Sequence, residues 1–94
     1  MSLSTHVLDT ERGRPAAGVR VEVYRGEERV AEQTTDDDGR IAELASVDAG
    51  IYRVVFHPSS PFFRRVELEV ELADGHTHLP LLISSYACAS YRGS

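Results

Sequence analysis

Two stretches alternate apolar and polar residues without a break, VRVEVYR at 19–25 and VELEVEL at 66–72. Successive side chains on an extended strand point to opposite faces, so a period of two gives each stretch one face for a core and one for solvent. In the first, Val19, Val21 and Val23 share a face opposite Arg20, Glu22 and Tyr24. In the second, Val66, Leu68, Val70 and Leu72 oppose Glu67, Glu69 and Glu71. A helix would spread these apolar residues around its whole circumference, so the pattern predicts strands.

Five further segments read the same way: LSTHVLD (3–9), VAEQTT (30–35), IAELA (41–45), IYRVVF (51–56) and HTHLPLLIS (76–84). Turn chemistry separates them. TERGRPAAG (10–18) is a Gly- and Pro-containing loop, RGEE (25–28) a short hairpin turn, and DDDGR (36–40) holds an Asp-Gly pair suited to positive φ. Short strands with turns every eight to twelve residues or so predict an all-β, antiparallel sandwich of seven to eight strands. SSPFFRR has room for at most a turn of helix, so helix is short or missing. The 94 residues make a single domain, 1–94. A domain this small buries only roughly 60–65% of its unfolded surface, so association with further copies would add stability.

Composition removes several classes of function. A net charge of −5 argues against a nucleic-acid-binding surface, which needs a basic stripe. All ten Lys+Arg positions are arginine, which in an acidic chain suggests ion pairs or specific anion contacts. MSLSTHV has neither the basic nor the apolar part of a signal peptide, and no apolar run nears the ~20 residues of a membrane span. The one cysteine, Cys88, has no internal disulfide partner. A reducing cytoplasm is the location these features predict, with no membrane and no nucleic-acid partner.

The residues able to do chemistry are few. His6 sits in the first strand; His76 and His78, two apart, share a face while Leu79, Leu81 and Ile83 point the other way. His76, His78, Pro80, Leu82 and Ser84 therefore form an outer face that is part imidazole and part apolar, a composition suited to contact with another subunit. Taken alone, the His-x-His pair is either two exposed strand histidines or part of a zinc or copper site, which would need a third ligand such as His6. Arg40, just after the Asp-Gly turn, is either solvated or a fork of donors for a planar anion. Cys88 has no neighbour that would lower its pKa and reads as structural.

Taken in order, several segments resemble the transthyretin-like 5-hydroxyisourate hydrolases. LSTHVLDTERGRPAAGVRVEVYR is similar to that family's first two strands, TTDDDGRI to its T-D-x-D-G-R turn, AGIYRVVF to its central strand, and HTHLPLLISSYACASYRGS to its closing signature ending in Tyr-Arg-Gly-Ser. The resemblance runs from about residue 3 to residue 94. The same fold serves the vertebrate hormone carrier transthyretin, so fold alone does not decide function. The chain resembles the hydrolases where the two branches differ.

The resemblance implies a transthyretin-like fold and hydrolysis of a cyclic amide, opening 5-hydroxyisourate to 2-oxo-4-hydroxy-4-carboxy-5-ureidoimidazoline in urate and purine degradation. By the same resemblance His6, Arg40, His78 and Ser94 match the catalytic set, Tyr91 joins His6 and Arg40 in contacting substrate, and His76 matches the first histidine of the pair. No metal and no organic cofactor is implied. A homotetramer is implied, with sites at the dimer–dimer interface and the terminal tetrapeptide forming one wall of each. The alternative is a non-catalytic small-molecule binding module of the same fold. Three departures are visible: Thr77 in place of tyrosine between the histidines, YACAS before the terminal motif, and a segment at 57–66 shorter than the family's, which has a short helix there.

Overall fold

The computed structural model describes residues 1–93. It contains ten strands in chain order: β1 (Ser2–Asp9), β2 (Arg14–Pro15), β3 (Arg20–Arg25), β4 (Glu28–Thr34), β5 (Arg40–Ser46), β6 (Gly50–His57), β7 (Val66–Leu72), β8 (His76–His78), β9 (Leu81–Ile83) and β10 (Cys88–Ser90). No helix is present among the described residues, and 58–65 form an irregular connection. Two sheets face each other. One has the order β4-β3-β6-β7; in the other β1 is central and pairs with β2, β5, β8 and β9, while β10 extends β9.

The alternation does what it promised. Val21, Val23, Val54 and Phe56 from one sheet meet Leu3, Val7 and Leu81 from the other, all fully enclosed. Each such side chain contributes about 1.5–3 kcal/mol on burial. On the edge strand β7 the glutamates Glu67 and Glu71 are exposed, and charge on a free edge discourages pairing with other chains.

Four features differ from the sequence-based expectation. The pairings of β1 with β8 and with β9 are parallel, with Ser4 opposite His78 and Val7 opposite Leu81. The chain reaches β8 from the opposite sheet, so the return to β1 is a crossover rather than a hairpin, and a parallel pair results. The segment 76–84 is two strands, because Pro80 has no N–H to donate to the ladder. Pro80 itself is fully buried instead of lying on an open outer face, and its carbonyl accepts a 2.7 Å hydrogen bond from the Ser90 hydroxyl.

The fourth difference is Glu22, which alternation assigns to the solvent face but which is buried. Its partners come from neighbouring strands. One carboxylate oxygen is 2.5 Å from His57 Nε2; the other accepts from Tyr24 Oη at 2.8 Å and Arg29 Nη1 at 3.2 Å. Arg20 adds a contact at 3.5 Å. These arginines are in ion pairs, as a lysine-free acidic chain suggests. The His57 hydrogen bond is the main reason that the Glu22 carboxyl is lowered from 4.5 to about 2. A carboxyl more acidic in the folded state stabilises the fold fully above about pH 4.5, and that contribution is lost as pH falls towards 2. Urea midpoints at pH 6 and pH 3 are expected to fall further for the wild type than for Glu22→Gln. Equal falls would remove Glu22 as the source.

Candidate active site

The outer face of the β1 sheet collects the residues the sequence singled out. The loop 36–40 starts this assembly. Asp36 Oδ1 accepts the backbone N–H groups of Asp38 and Arg40, both at 2.9 Å, and Gly39 closes the turn at φ 74°. Gly39 presses against β1 so closely that a Cβ would lie 2.4 Å from the Val7 carbonyl oxygen, while its own carbonyl accepts the Val7 N–H at 2.7 Å. The next residue, Arg40, thereby becomes the direct cross-strand neighbour of His6. A register shift between Leu3 and Thr5 lies one step further along, the kind of irregularity that re-aims side chains beside functional sites.

His6 Nε2 lies 2.9 Å from the Asp38 carbonyl oxygen. A carbonyl only accepts, so Nε2 carries the proton and Nδ1 of the neutral ring is left with a lone pair. His78 is held by Ser4, whose Oγ is 2.8 Å from its Nδ1 and also 2.8 Å from His76 Nε2. His76 Nδ1 in turn meets Ser2 Oγ at 2.6 Å. Ser2, Ser4 and His6 are every second residue of β1, and the parallel register sets Ser2 beside His76 and Ser4 beside His78. Burial lowers the pKa of His78, and Arg40, His6 and His76, all close enough to act on it, lower it further. These four cationic or titratable groups therefore share one electrostatic neighbourhood.

The chain's end runs alongside. Gly93 N–H donates to the His78 carbonyl at 2.7 Å, and this bridge continues the antiparallel register in which Ser90 opposes Leu81. Gly93 is needed here for close approach and not for positive φ, since a Cβ would lie 2.8 Å from His78 Cδ2. The register puts Tyr91 on the same outer face as His78, and its side chain is 58% exposed. Ser94 lies outside the described residues.

His6, Arg40 and His78 are thus brought together, Tyr91 and Gly93 lie alongside, and His76 stands at the outer end of the row. Sequence reasoning missed Ser2 and Ser4. Their period-two spacing with His6 was visible, but the parallel pairing that brings them to the histidines was not. Among the described residues no group of three or more His, Cys, Asp and Glu side chains converges as a metal site would require. The site is an open face rather than a hollow. A cavity of about 460 Å³ lies at the other end of β1, between Asp9, Arg14, Pro58 and Ser84, and includes none of these residues.

The sequence model of the HIUase/Transthyretin family matches residues 3–93. The chain is 40% identical to the 5-hydroxyisourate hydrolase of Deinococcus radiodurans, over 98% of this chain and 95% of that protein. That alignment spans 113 positions against the 94 residues of this chain, so the relative is the longer protein, as the short 57–66 segment suggests. Among solved structures, Klebsiella pneumoniae 5-hydroxyisourate hydrolase superposes with a TM-score of 0.90 at 36% identity, covering 99% of this chain and 98% of that one. Sea bream transthyretin in complex with thyroxine superposes with a TM-score of 0.88 at 27% identity, covering 99% and 95%.

Proposed function

Because the chain belongs to the HIUase/Transthyretin family, we propose that it is a 5-hydroxyisourate hydrolase, opening that ring to 2-oxo-4-hydroxy-4-carboxy-5-ureidoimidazoline in purine degradation. The fold is shared with a thyroxine-binding protein and does not discriminate. The observation that carries the reading is the cross-strand pairing of His6 with Arg40 on the face that also holds His78.

The reaction adds water to a ring carbonyl and breaks its bond to nitrogen. It needs a base for the water, positive donors for the developing oxyanion, and a proton for the departing nitrogen. Imidazoles suit both proton steps because their ordinary pKa lies near 6.5. His78 fits the base role: its environment favours the neutral ring, and with Nδ1 engaged by Ser4 it has Nε2 for the water. Arg40 is exposed beside His6 and offers a planar fork to the ring oxygens. His6 bonds or protonates the substrate, and Tyr91 supplies a flat surface for it. Ser94 completes the catalytic set through its hydroxyl. No step requires a metal or organic cofactor.

A face this open cannot exclude water by itself, which supports a homotetramer with each site closed by a neighbouring subunit. Exposed Ile51, Phe62, Tyr86 and Tyr91 are apolar surface of the kind that subunits cover. A free cysteine and the lack, among the described residues, of any helix long and apolar enough to cross a membrane suit a cytoplasmic enzyme. Freshly generated 5-hydroxyisourate followed by its ultraviolet absorbance is expected to decay much faster with the protein than in buffer. Decay at the buffer rate would end the hydrolase reading. Removal of residues 91–94 is expected to abolish most of the acceleration while leaving the β-sheet circular dichroism unchanged, and full activity after removal would refute the terminal wall.

A further inference from the structure

The hydrogen bonds between β1 and β8 form one unbroken line, Ser2–His76–Ser4–His78, with contacts of 2.6, 2.8 and 2.8 Å. Its inner end, His78, is half-buried beside Arg40 and His6, and its outer imidazole, His76, is exposed. Ser4 itself is buried, and its single hydroxyl touches two imidazole nitrogens. Among the described residues these two rings are the only hydrogen-bond partners of the Ser4 hydroxyl, so its one proton goes to one ring and its oxygen accepts from the other. The tautomers of His76 and His78 are therefore locked together: if His78 carries its proton on Nδ1, Ser4 donates to His76 Nε2, and His76 holds its own proton on Nδ1 facing Ser2.

We infer that Ser4 is a positioning residue and that Ser4 and His76 form a proton relay serving His78. This rests on the hydrolase reading and adds to it the path of the proton. In the arrangement above, His78 Nε2 has a lone pair, and this nitrogen is the one not engaged by Ser4. As the water attacks, its O–H bond breaks and the proton joins His78 Nε2. The Nδ1 proton of His78 passes to Ser4 Oγ, and the Ser4 proton passes to His76 Nε2. The water oxygen is now bonded to the ring carbonyl carbon, His78 is neutral in its other tautomer, and the positive charge is on His76 in contact with solvent. On reversal His76 Nε2 returns its proton to Ser4, Ser4 gives its own to His78 Nδ1, and the proton held on His78 Nε2 passes to the departing nitrogen as the carbon–nitrogen bond breaks. No charge is left at His78, where burial and the neighbouring Arg40 and His6 disfavour it.

Among the described residues the charged and titratable groups facing His78 are Arg40 from β5, His6 from β1 and His76 from its own strand. Ser4→Ala is expected to lower kcat roughly 10²-fold, the smaller end of a general-base contribution, with little change in KM. Ser4→Thr keeps the hydroxyl on a strand and is expected to restore most of kcat. His76→Gln, able to hydrogen-bond but not to take a proton, is expected to lose kcat and regain part of it with added imidazole. Nitrogen-15 spectra of the histidines without substrate give a readout independent of turnover. In the wild type the two rings are expected to titrate as a coupled pair, and Ser4→Ala is expected to separate them. Independent titration in the wild type would overturn the relay even if the protein is an active hydrolase. Coupled titration would uphold the wire even if 5-hydroxyisourate is not turned over, in which case only the functional reading fails. Wild-type kcat in Ser4→Ala, or Ser4→Thr as poor as alanine, would also overturn it.

Discussion

Replacing Arg40 with alanine is expected to lower kcat/KM for 5-hydroxyisourate roughly 10²–10³-fold, the usual cost of removing one preorganised donor to a developing oxyanion. The thermal midpoint is expected to stay close to that of the wild type. Arg40 is exposed, and its side chain makes no ion pair among the described residues, so its removal leaves no buried group without a partner. Its backbone N–H, which Asp36 accepts, is kept in the variant. Arg40→Lys separates charge from shape: a point charge in the same place is expected to recover only a small part of the loss, because it cannot hold two ring oxygens at once. The loss is expected in kcat as well as KM, since the oxyanion exists only on the way to product. Steady-state assays on fresh substrate, with circular dichroism as the control for folding, check it. Wild-type turnover in Arg40→Ala would remove Arg40 from the catalytic set.

The second large effect is expected one residue earlier. Gly39→Ala puts a Cβ 2.4 Å from the Val7 carbonyl oxygen at a φ of 74°. An L-residue costs roughly 1–2 kcal/mol in that region before any overlap. The overlap is with backbone, which cannot rotate away, and relieving it stretches the 2.7 Å bond from Val7 N–H to the Gly39 carbonyl. A combined loss of about 3 kcal/mol is expected, lowering the melting temperature by roughly 10–20 °C at this chain length. Activity is expected to fall even at temperatures where the variant stays folded, because the turn sets where Arg40 stands relative to His6. Gly26→Ala is the control: its φ is also positive, at 59°, but a Cβ there meets nothing within 4 Å, so only the conformational part of the cost applies. Equal losses in the two variants would show that the close approach to β1 is unimportant.

Much of the fold was legible because it depends on local periodicity. The valines of 19–25 and the apolar residues of 66–72 face inward as their spacing requires, and the Asp-Gly pair forms the tight turn its chemistry favours. Glu22 was misplaced because alternation knows only the strand's own two faces. The partners that enclose its carboxylate, Arg29 and His57, lie on β4 and β6. The same limit applies to the site. Histidine and arginine could be named as the functional residue types, and the family resemblance drew them together. Nothing in their spacing says that His6 lies opposite Arg40, or that Ser4 lies beside His78, because those are non-local pairings of a central strand. Ser4 in particular looks like an ordinary strand serine until the parallel neighbour is in place.

That central strand has a consequence for biosynthesis. β1 precedes the other nine strands in the chain, yet three of its four partners are β5, β8 and β9, and the last two are made long after it. Until residues 76–83 emerge, its apolar face has no complete sheet to belong to and must be kept from aggregating by other means. On the proposed site, which needs His78, catalytic competence and structural completion arrive together, so an unfinished chain is expected to be silent rather than partly active.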